Sequence, residues 1–294
     1  MPTRVFGRAP SAMPDRFLAS VERLRRLNRF APALARYCRQ MSREADAAWP
    51  TQKLFDQLDR YVTGYLLIHN YYAWRCDDAE VPTLAALQRV TSPSARHTAG
   101  FVSALKTHRF VVAEPDPADA RRQRLRPGAE MIRQIGRSAV LFVAAVDHMR
   151  NRRPGWAAEL DDTDRLGEMV YRSAAFVLGN GTLIHDFPRV LSFAGRDCGY
   201  PLLTAIMGAH YAATVAGAPA AVPLTLRALA SRFQVSRAHV GNLLDEAARA
   251  GWFATGRDGR LAAIDPSLVQ EFENWAAWQM VHYDSLASIV SGRQ

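Results

Sequence analysis

The stretch Thr225–Ala254, TLRALASRFQVSRAHVGNLLDEAARAGWFA, restates Thr83–Val112, TLAALQRVTSPSARHTAGFVSALKTHRFVV, without a gap. Identities fall at Thr83/Thr225, Leu84/Leu226, Ala86/Ala228, Leu87/Leu229, Ser94/Ser236 and His97/His239, and apolar character matches at Phe101/Leu243, Val102/Leu244, Phe110/Trp252 and Val111/Phe253. The recurrence extends beyond this segment. Each copy is preceded by an apolar helical stretch (about 53–75 and 200–216) and followed by a hairpin (112–127 and 254–263) and a closing helix (about 128–149 and 266–290). A chain built this way is one folding unit used twice.

The second copy shows what the unit is. Leu226, Leu229, Ala230 and Phe233 recur at the spacing of one apolar helix face. Gln234 and Val235 interrupt that helix, and the Ser236 hydroxyl is placed to cap the next one. In the next helix Val240, Leu243, Leu244 and Ala247 face inward while Arg237, His239 and Asn242 face elsewhere, and Gly251 offers a left-handed stop. WFAT, GRDG and RLAAI then read as strand, turn and strand. Two short helices with a tight turn and a hairpin form a winged helix-turn-helix, whose second helix fits the major groove of DNA. The first copy has the turn Thr91-Ser92-Pro93, an inward face of Phe101, Val102 and Leu105, and Ser94, Arg96 and His97 outside. Its hairpin is longer.

The first copy resembles the multiple-antibiotic-resistance regulator (MarR) family over about 53–149. The wing carries Asp-x-Arg as Asp119 and Arg121, followed by Leu125 on an alternating strand and by Gly128, which opens the next helix. Pro127 stands where that family commonly has Thr, and the recognition helix is short of polar residues. The resemblance implies a transcriptional regulator whose flanking helices dimerise and, in some members, a small, often aromatic effector between those helices and the DNA-binding lobe.

Charge fits a nucleic-acid partner. The formal net charge is +9 and the pI about 9.9, with arginine concentrated in RLRRLNR (23–29), RRQRLR (121–126) and RNRR (150–153). Such patches draw phosphate backbones through counterion release. Arg96 and Arg237 lie near the N-termini of the two recognition helices, His97 and His239 follow them, and Asn242 suits adenine one turn on. Arg122 and Arg124 share the strand face opposite Leu125 and are expected on the DNA backbone, and Arg121 is expected to pair with Asp119 while still touching minor-groove phosphate. Arg257 and Arg260 are their analogues in the second wing.

The fold expected is mainly α with small β-hairpin wings: tandem winged helix-turn-helix domains joined by helices. Residues 1–50 form a helical extension, with one amphipathic helix over 15–45 broken or kinked at Pro32. Residues 51–150 form the first winged-helix domain, 151–195 a helical connector beginning at the boundary RNRRPGW, and 196–294 the second domain. The helices near 130–150 and 200–216 are expected to form a pseudo-symmetric junction, giving a pseudo-dimeric monomer, although a homodimer fits the same pattern.

The aromatic and histidine residues Tyr171, Phe176, His185, Phe187, Phe193, His210 and Tyr211 are a candidate effector pocket or, more simply, packing. No apolar run is long enough to span a bilayer and no secretion signal is apparent, so no membrane contact and a cytoplasmic location are expected. Cys38, Cys76 and Cys198 lack metal-ligand spacing and read as packing residues, with a redox switch as the alternative. Neither metal nor cofactor is implied, and GNGT (179–182) lacks the spacing of a dinucleotide fingerprint. VHYD (281–284) in the final helix packs or faces solvent rather than forming a triad. The chain is therefore expected not to be an enzyme, and to be a sequence-specific double-stranded DNA-binding regulator. A tandem winged-helix replication initiator, a winged-helix protein-interaction module and an arginine-rich catalytic domain fused to one helix-turn-helix stay open as alternatives.

Overall fold

A computed structural model describes residues 13–43, 54–256 and 258–292. The chain is mainly helical with two small antiparallel two-stranded sheets. Helices α1 (Asp15–Arg25) and α2 (Phe30–Met41) are separated by a turn at 26–29. The expected break at Pro32 is displaced, because Pro32 lies in the first turn of α2, where a missing N–H breaks no intrahelical bond. Next come α3 (Leu58–Asp77), α4 (Leu84–Val90), α5 (Ala95–Thr107), the hairpin β1 (Val111–Asp116) and β2 (Asp119–Pro127), and α6 (Ala129–Arg150). A 3-10 turn over Trp156–Asp161 leads to α7 (Thr163–Asn180), α8 (Pro188–Ala194) and α9 (Gly199–Thr214). The second set follows as α10 (Leu226–Phe233), α11 (Arg237–Arg249), β3 (Phe253–Thr255), β4 (Leu261–Ile264) and α12 (Pro266–Val290).

The two copies share their helix caps and the stop after the second helix, and differ in the turn between the helices, where Thr91 is extended and Gln234 is left-handed (φ 52°). Thr83 Oγ1 caps α4 by accepting from Ala86 N–H at 3.2 Å, and Thr225 Oγ1 caps α10 by accepting from Ala228 N–H at 3.2 Å. Ser94 Oγ accepts from His97 N–H (3.3 Å) at the start of α5, and Ser236 Oγ from His239 N–H (3.1 Å) at the start of α11. Each such cap is worth about 1 kcal/mol. After α5, Arg109 is left-handed (φ 58°) and Phe110 N–H donates to Leu105 O at 2.9 Å; after α11, Gly251 is left-handed (φ 72°) and Trp252 N–H donates to Ala247 O at 3.0 Å. These bonds satisfy carbonyls that a helix end would otherwise leave open.

Each hairpin is tied to the same position of the entering chain, with donor and acceptor exchanged between the copies. Leu125 N–H donates to Pro82 O (2.7 Å) in the first copy, and Leu224 N–H to Gly259 O (2.8 Å) in the second. Pro82 and Leu224 are equivalent positions, so in both copies the chain entering the first helix is stitched to the hairpin. Gly259 has φ 73°, and a Cβ there would come 2.3 Å from Thr225 Cγ2, so only glycine fits. Leu226 is the departure from the expected apolar face of α10: it is 43% exposed, whereas Leu229, Ala230 and Phe233 are buried.

One contiguous core runs through both copies. The closing helices α6 and α12 pack on each other, α2 packs between α6 and α9, and α1 lies on α12. The junction is therefore α6 with α12 rather than α6 with α9, as expected from sequence. The stretch 151–195, expected as a connector, is core material. Its helix α7 packs on α3, α6 and α12. A Cβ at Gly167 would lie 2.2 Å from Tyr72 Oη, so this glycine permits the close approach of α3 and α7. The RNRRPGW segment is held as well. Arg152 pairs with Asp147 (3.2 Å) and Asp284, and its guanidinium lies 3.4 Å from the Trp156 ring centroid.

Within 151–195 the helix α8 begins only at Pro188, which occupies its first turn, and 183–186 form a turn ahead of it. Cys38 and Cys198 are buried and Cys76 is exposed; burial pushes the Cys38 thiol pKa far up, which leaves it unreactive. Among the described residues no helix is long and apolar enough to cross a membrane.

Candidate nucleic-acid interface

The two second helices present faces whose chemistry differs. On α5 the buried residues are Thr98, Val102 and Leu105, and the opposite face carries Arg96, Gly100, Ser103 and Thr107, all exposed. On α11 the buried residues are Val240, Leu243, Leu244 and Ala247, and the opposite face carries Ala238, Asn242, Asp245 and Arg249, all exposed. Arg96 therefore stands opposite Ala238 in the repeat, and Arg237 opposite Ala95. Among the described residues neither arginine has an ion-pair partner. Exposed Lys106 and Arg109 extend the cationic edge of α5, in a run (KTHR) that reads from sequence only as a helix end.

Several expected contact residues are engaged inside the fold. The hydroxyls of Ser94 and Ser236 are caps, and Ser94 Oγ also lies 2.9 Å from His97 Nδ1. His97 stays exposed, but its counterpart His239 is half-buried with Nε2 at 2.9 Å from Asp197 O, in the elbow between α8 and α9. The same elbow binds α11 a second time through Arg196 Nη2 and Glu246 Oε1 at 2.6 Å.

In the first wing, Arg121 and Arg122 are exposed. The expected Arg121–Asp119 pair is replaced by a neighbour. Asp119 accepts from the backbone N–H of Arg121 at 3.0 Å, while its ion pair is to Arg122 Nε at 3.6 Å. Arg124 is withdrawn from solvent: it donates to Glu114 at 2.7 Å and lies 4.5 Å from the Trp74 ring centroid. Arg124 and Arg126 together hold the Glu114 carboxyl below its ordinary pKa by their hydrogen bonds, so this cluster braces the wing against α3. In the second wing Arg260 is exposed, with Nε 3.5 Å from Asp258. Arg257 lies outside the described residues.

A cavity of about 260 Å³ sits among α3, α6, α7, α9 and α12, closed on one side by Arg232 and Phe233 of α10. Its aromatic wall is Tyr61, Tyr65, Phe142, Tyr200, Trp275 and Tyr283. The middle-segment aromatics and histidines proposed from sequence do not line it. They pack elsewhere: Phe187 on Trp278, Phe193 on Trp252, Phe176 on His282, Tyr171 on His69, and His210 beside buried Tyr211. His185 contacts Thr182. The lining as a whole comes mainly from α3, α6, α7, α9 and α12, so no local pattern marks it.

Inside the cavity Tyr65 Oη donates to Ser173 Oγ (2.6 Å), which lies 2.7 Å from His282 Nε2. Burial lowers the His282 pKa to about 4, keeping the ring neutral. His282, Tyr283 and Asp284 of the VHYD segment are all buried, and so pack. Trp275 Nε1 is buried with no acceptor among the described residues. No group of three potential metal ligands occurs among the described residues. The chain matches no protein-family model, no curated protein and no solved structure.

Proposed function

We propose that the chain is a sequence-specific double-stranded DNA-binding transcriptional regulator that uses two winged helices as a pseudo-dimer within one chain. The observation that carries this reading is the repetition of both helix caps and of the left-handed stop after the second helix, with a hairpin bonded to the chain entering the first helix in each copy. It builds two second helices, each with an exposed face and an arginine in its first turn. Helices of this kind enter the major groove, and two of them normally act together on neighbouring half-sites. The packing of α6 on α12 takes the place that a subunit interface takes in a two-chain regulator, and a MarR-like ancestry of the first unit fits the same arrangement.

The test is selection of bound duplexes from fragmented genomic DNA by the purified protein at roughly physiological salt. Specific sites are expected to be preferred by about a thousandfold or more over bulk DNA. The enriched sites should contain two unlike half-sites and be bound by a single chain, and Arg96→Ala and Arg237→Ala should each deplete them. A strictly palindromic footprint bound by two chains overturns the pseudo-dimer, and retention without enrichment overturns sequence specificity.

The cavity supports a second element of the same reading, a small aromatic effector. Its aromatic wall, to which Trp275 contributes, fits a flat apolar molecule. A melting-temperature rise with such compounds that is lost in Trp275→Phe supports it; no rise with any of them removes the effector and leaves DNA binding untouched.

A further inference from the structure

Asp245 is an anomaly on a face meant for DNA. It is exposed on the outer face of α11, one turn beyond Asn242, and its carboxylate has no ion-pair partner among the described residues. A free carboxylate facing a duplex is repelled by phosphate unless it meets one of the hydrogen-bond donors that base edges offer. In the major groove cytosine presents its N4 amino group, and aspartate or glutamate is the side chain that accepts from it. Asn242 on the same face has the complementary ability to pair bidentately with adenine N6 and N7.

The equivalent positions of α5 carry none of this chemistry. Gly100 stands where Asn242 does, Ser103 where Asp245 does, and Arg96 supplies a cation where α11 has Ala238. No acidic residue occurs anywhere in α5, whereas α11 has Asp245 and Glu246. Glu246 is accounted for, because Arg196 holds it at the elbow. Burial of Val240, Leu243, Leu244 and Ala247 fixes the opposite side of α11 in the core, which leaves Asp245 on the outer face with Arg249, whose Nε donates to the Asp245 backbone carbonyl at 3.3 Å.

We propose that Asp245 is a specificity-determining residue that reads cytosine in the half-site bound by α11, next to an adenine read by Asn242, while α5 reads a guanine through Arg96. This rests on the DNA-binding reading above and adds which base each half-site contains. It assigns the two helices different tasks. Both carry a first-turn arginine toward the duplex, and the second adds discrimination, through Asp245, against sequences that offer no amino group at the right place.

The experiment is selection from a randomised duplex library with the full chain and with the Asp245→Asn and Asp245→Ala variants. The exposed Asp245 carboxylate makes no hydrogen bond or ion pair among the described residues, so both variants should melt close to the wild-type protein. Wild-type sites should show a cytosine preference of roughly ten- to hundredfold at one position. In Asp245→Asn that preference should move to adenine, in Asp245→Ala it should vanish, and the half-site containing guanine should stay the same in both. Overall binding to random duplex should rise in both variants as the repulsion is removed. Enriched wild-type sites that are unchanged in both variants overturn the assignment while leaving the regulator reading intact. Absence of any enrichment by the wild-type chain overturns both.

Discussion

Arg152 and Asp284 lie 132 residues apart in sequence and meet between the two closing helices, with Arg152 Nη2 donating to Asp284 Oδ2 at 3.2 Å and Nη1 bridging Asp284 Oδ1 and Asp147. Their side chains are only 15% and 11% exposed, so the pair is largely desolvated. Removing one partner of such a pair leaves an uncompensated charge, which costs about 3–5 kcal/mol. Asp147 still faces Arg152 after Asp284→Ala, so a loss near the lower figure, about 3 kcal/mol, is expected in urea unfolding. A loss under about 0.5 kcal/mol would mean that 150–156 is an ordinary linker.

The buried His282 makes stability depend on pH. Its folded pKa of about 4 lies below the ordinary 6.5, so the folded chain keeps the ring neutral while the unfolded chain takes up a proton. Above pH 6.5 both states are neutral and the histidine contributes nothing to the dependence. As pH falls from 6.5 toward 4, the unfolded state is favoured progressively, reaching about 3 kcal/mol at the lower end. His282→Gln should flatten this part of the curve in unfolding experiments run between pH 7 and 4.5. An unchanged slope would show that the ring titrates normally in the folded chain.

The matched caps give a symmetric prediction. Ser94→Ala and Ser236→Ala should each cost about 1 kcal/mol of stability. Hydrogen exchange should quicken in the first turn of α5 for one variant and in that of α11 for the other. Equal effects on both helices from either variant would argue against local capping.

In the first wing, Arg121 is exposed and has no ion-pair partner among the described residues, whereas Arg124 is locked between Glu114 and Trp74. If the wing touches phosphate, Arg121→Ala should reduce the slope of log affinity against log salt by about 1 and weaken all duplexes alike. Arg124→Ala should instead lower stability, with the salt slope unchanged. A reversed pattern, in fluorescence anisotropy across a salt series, would sink this division.

Local chemistry carried much of the fold in readable form. Thr225, Ser236 and Gly251 announce a cap, a second cap and a stop because each acts on backbone groups within a few residues. The spacing of Val240, Leu243, Leu244 and Ala247 declares a helix face for a similar reason. The errors arise where distance along the chain is large. Nothing near Arg152 indicates Asp284, so the segment around it looks like a boundary. Nothing near His239 indicates the Asp197 carbonyl, and the histidine looks free. The cavity lining needed five helices to assemble, while the conspicuous local cluster of aromatics between Tyr171 and Tyr211 packs into contacts of its own. Asp245 was visible as a charge on a helix, but its meaning depends on knowing that Glu246 is taken and Asp245 is not.

The packing of α6 on α12 within one core has a further consequence, for abundance. Two reading heads on separate subunits must find each other, so at low copy number the competent species falls off with the square of the amount made. Under the proposed reading the two heads are joined when the chain folds, and dilution does not part them. Their spacing is then the same for one molecule in a cell as for a thousand, and the response follows the supply in simple proportion.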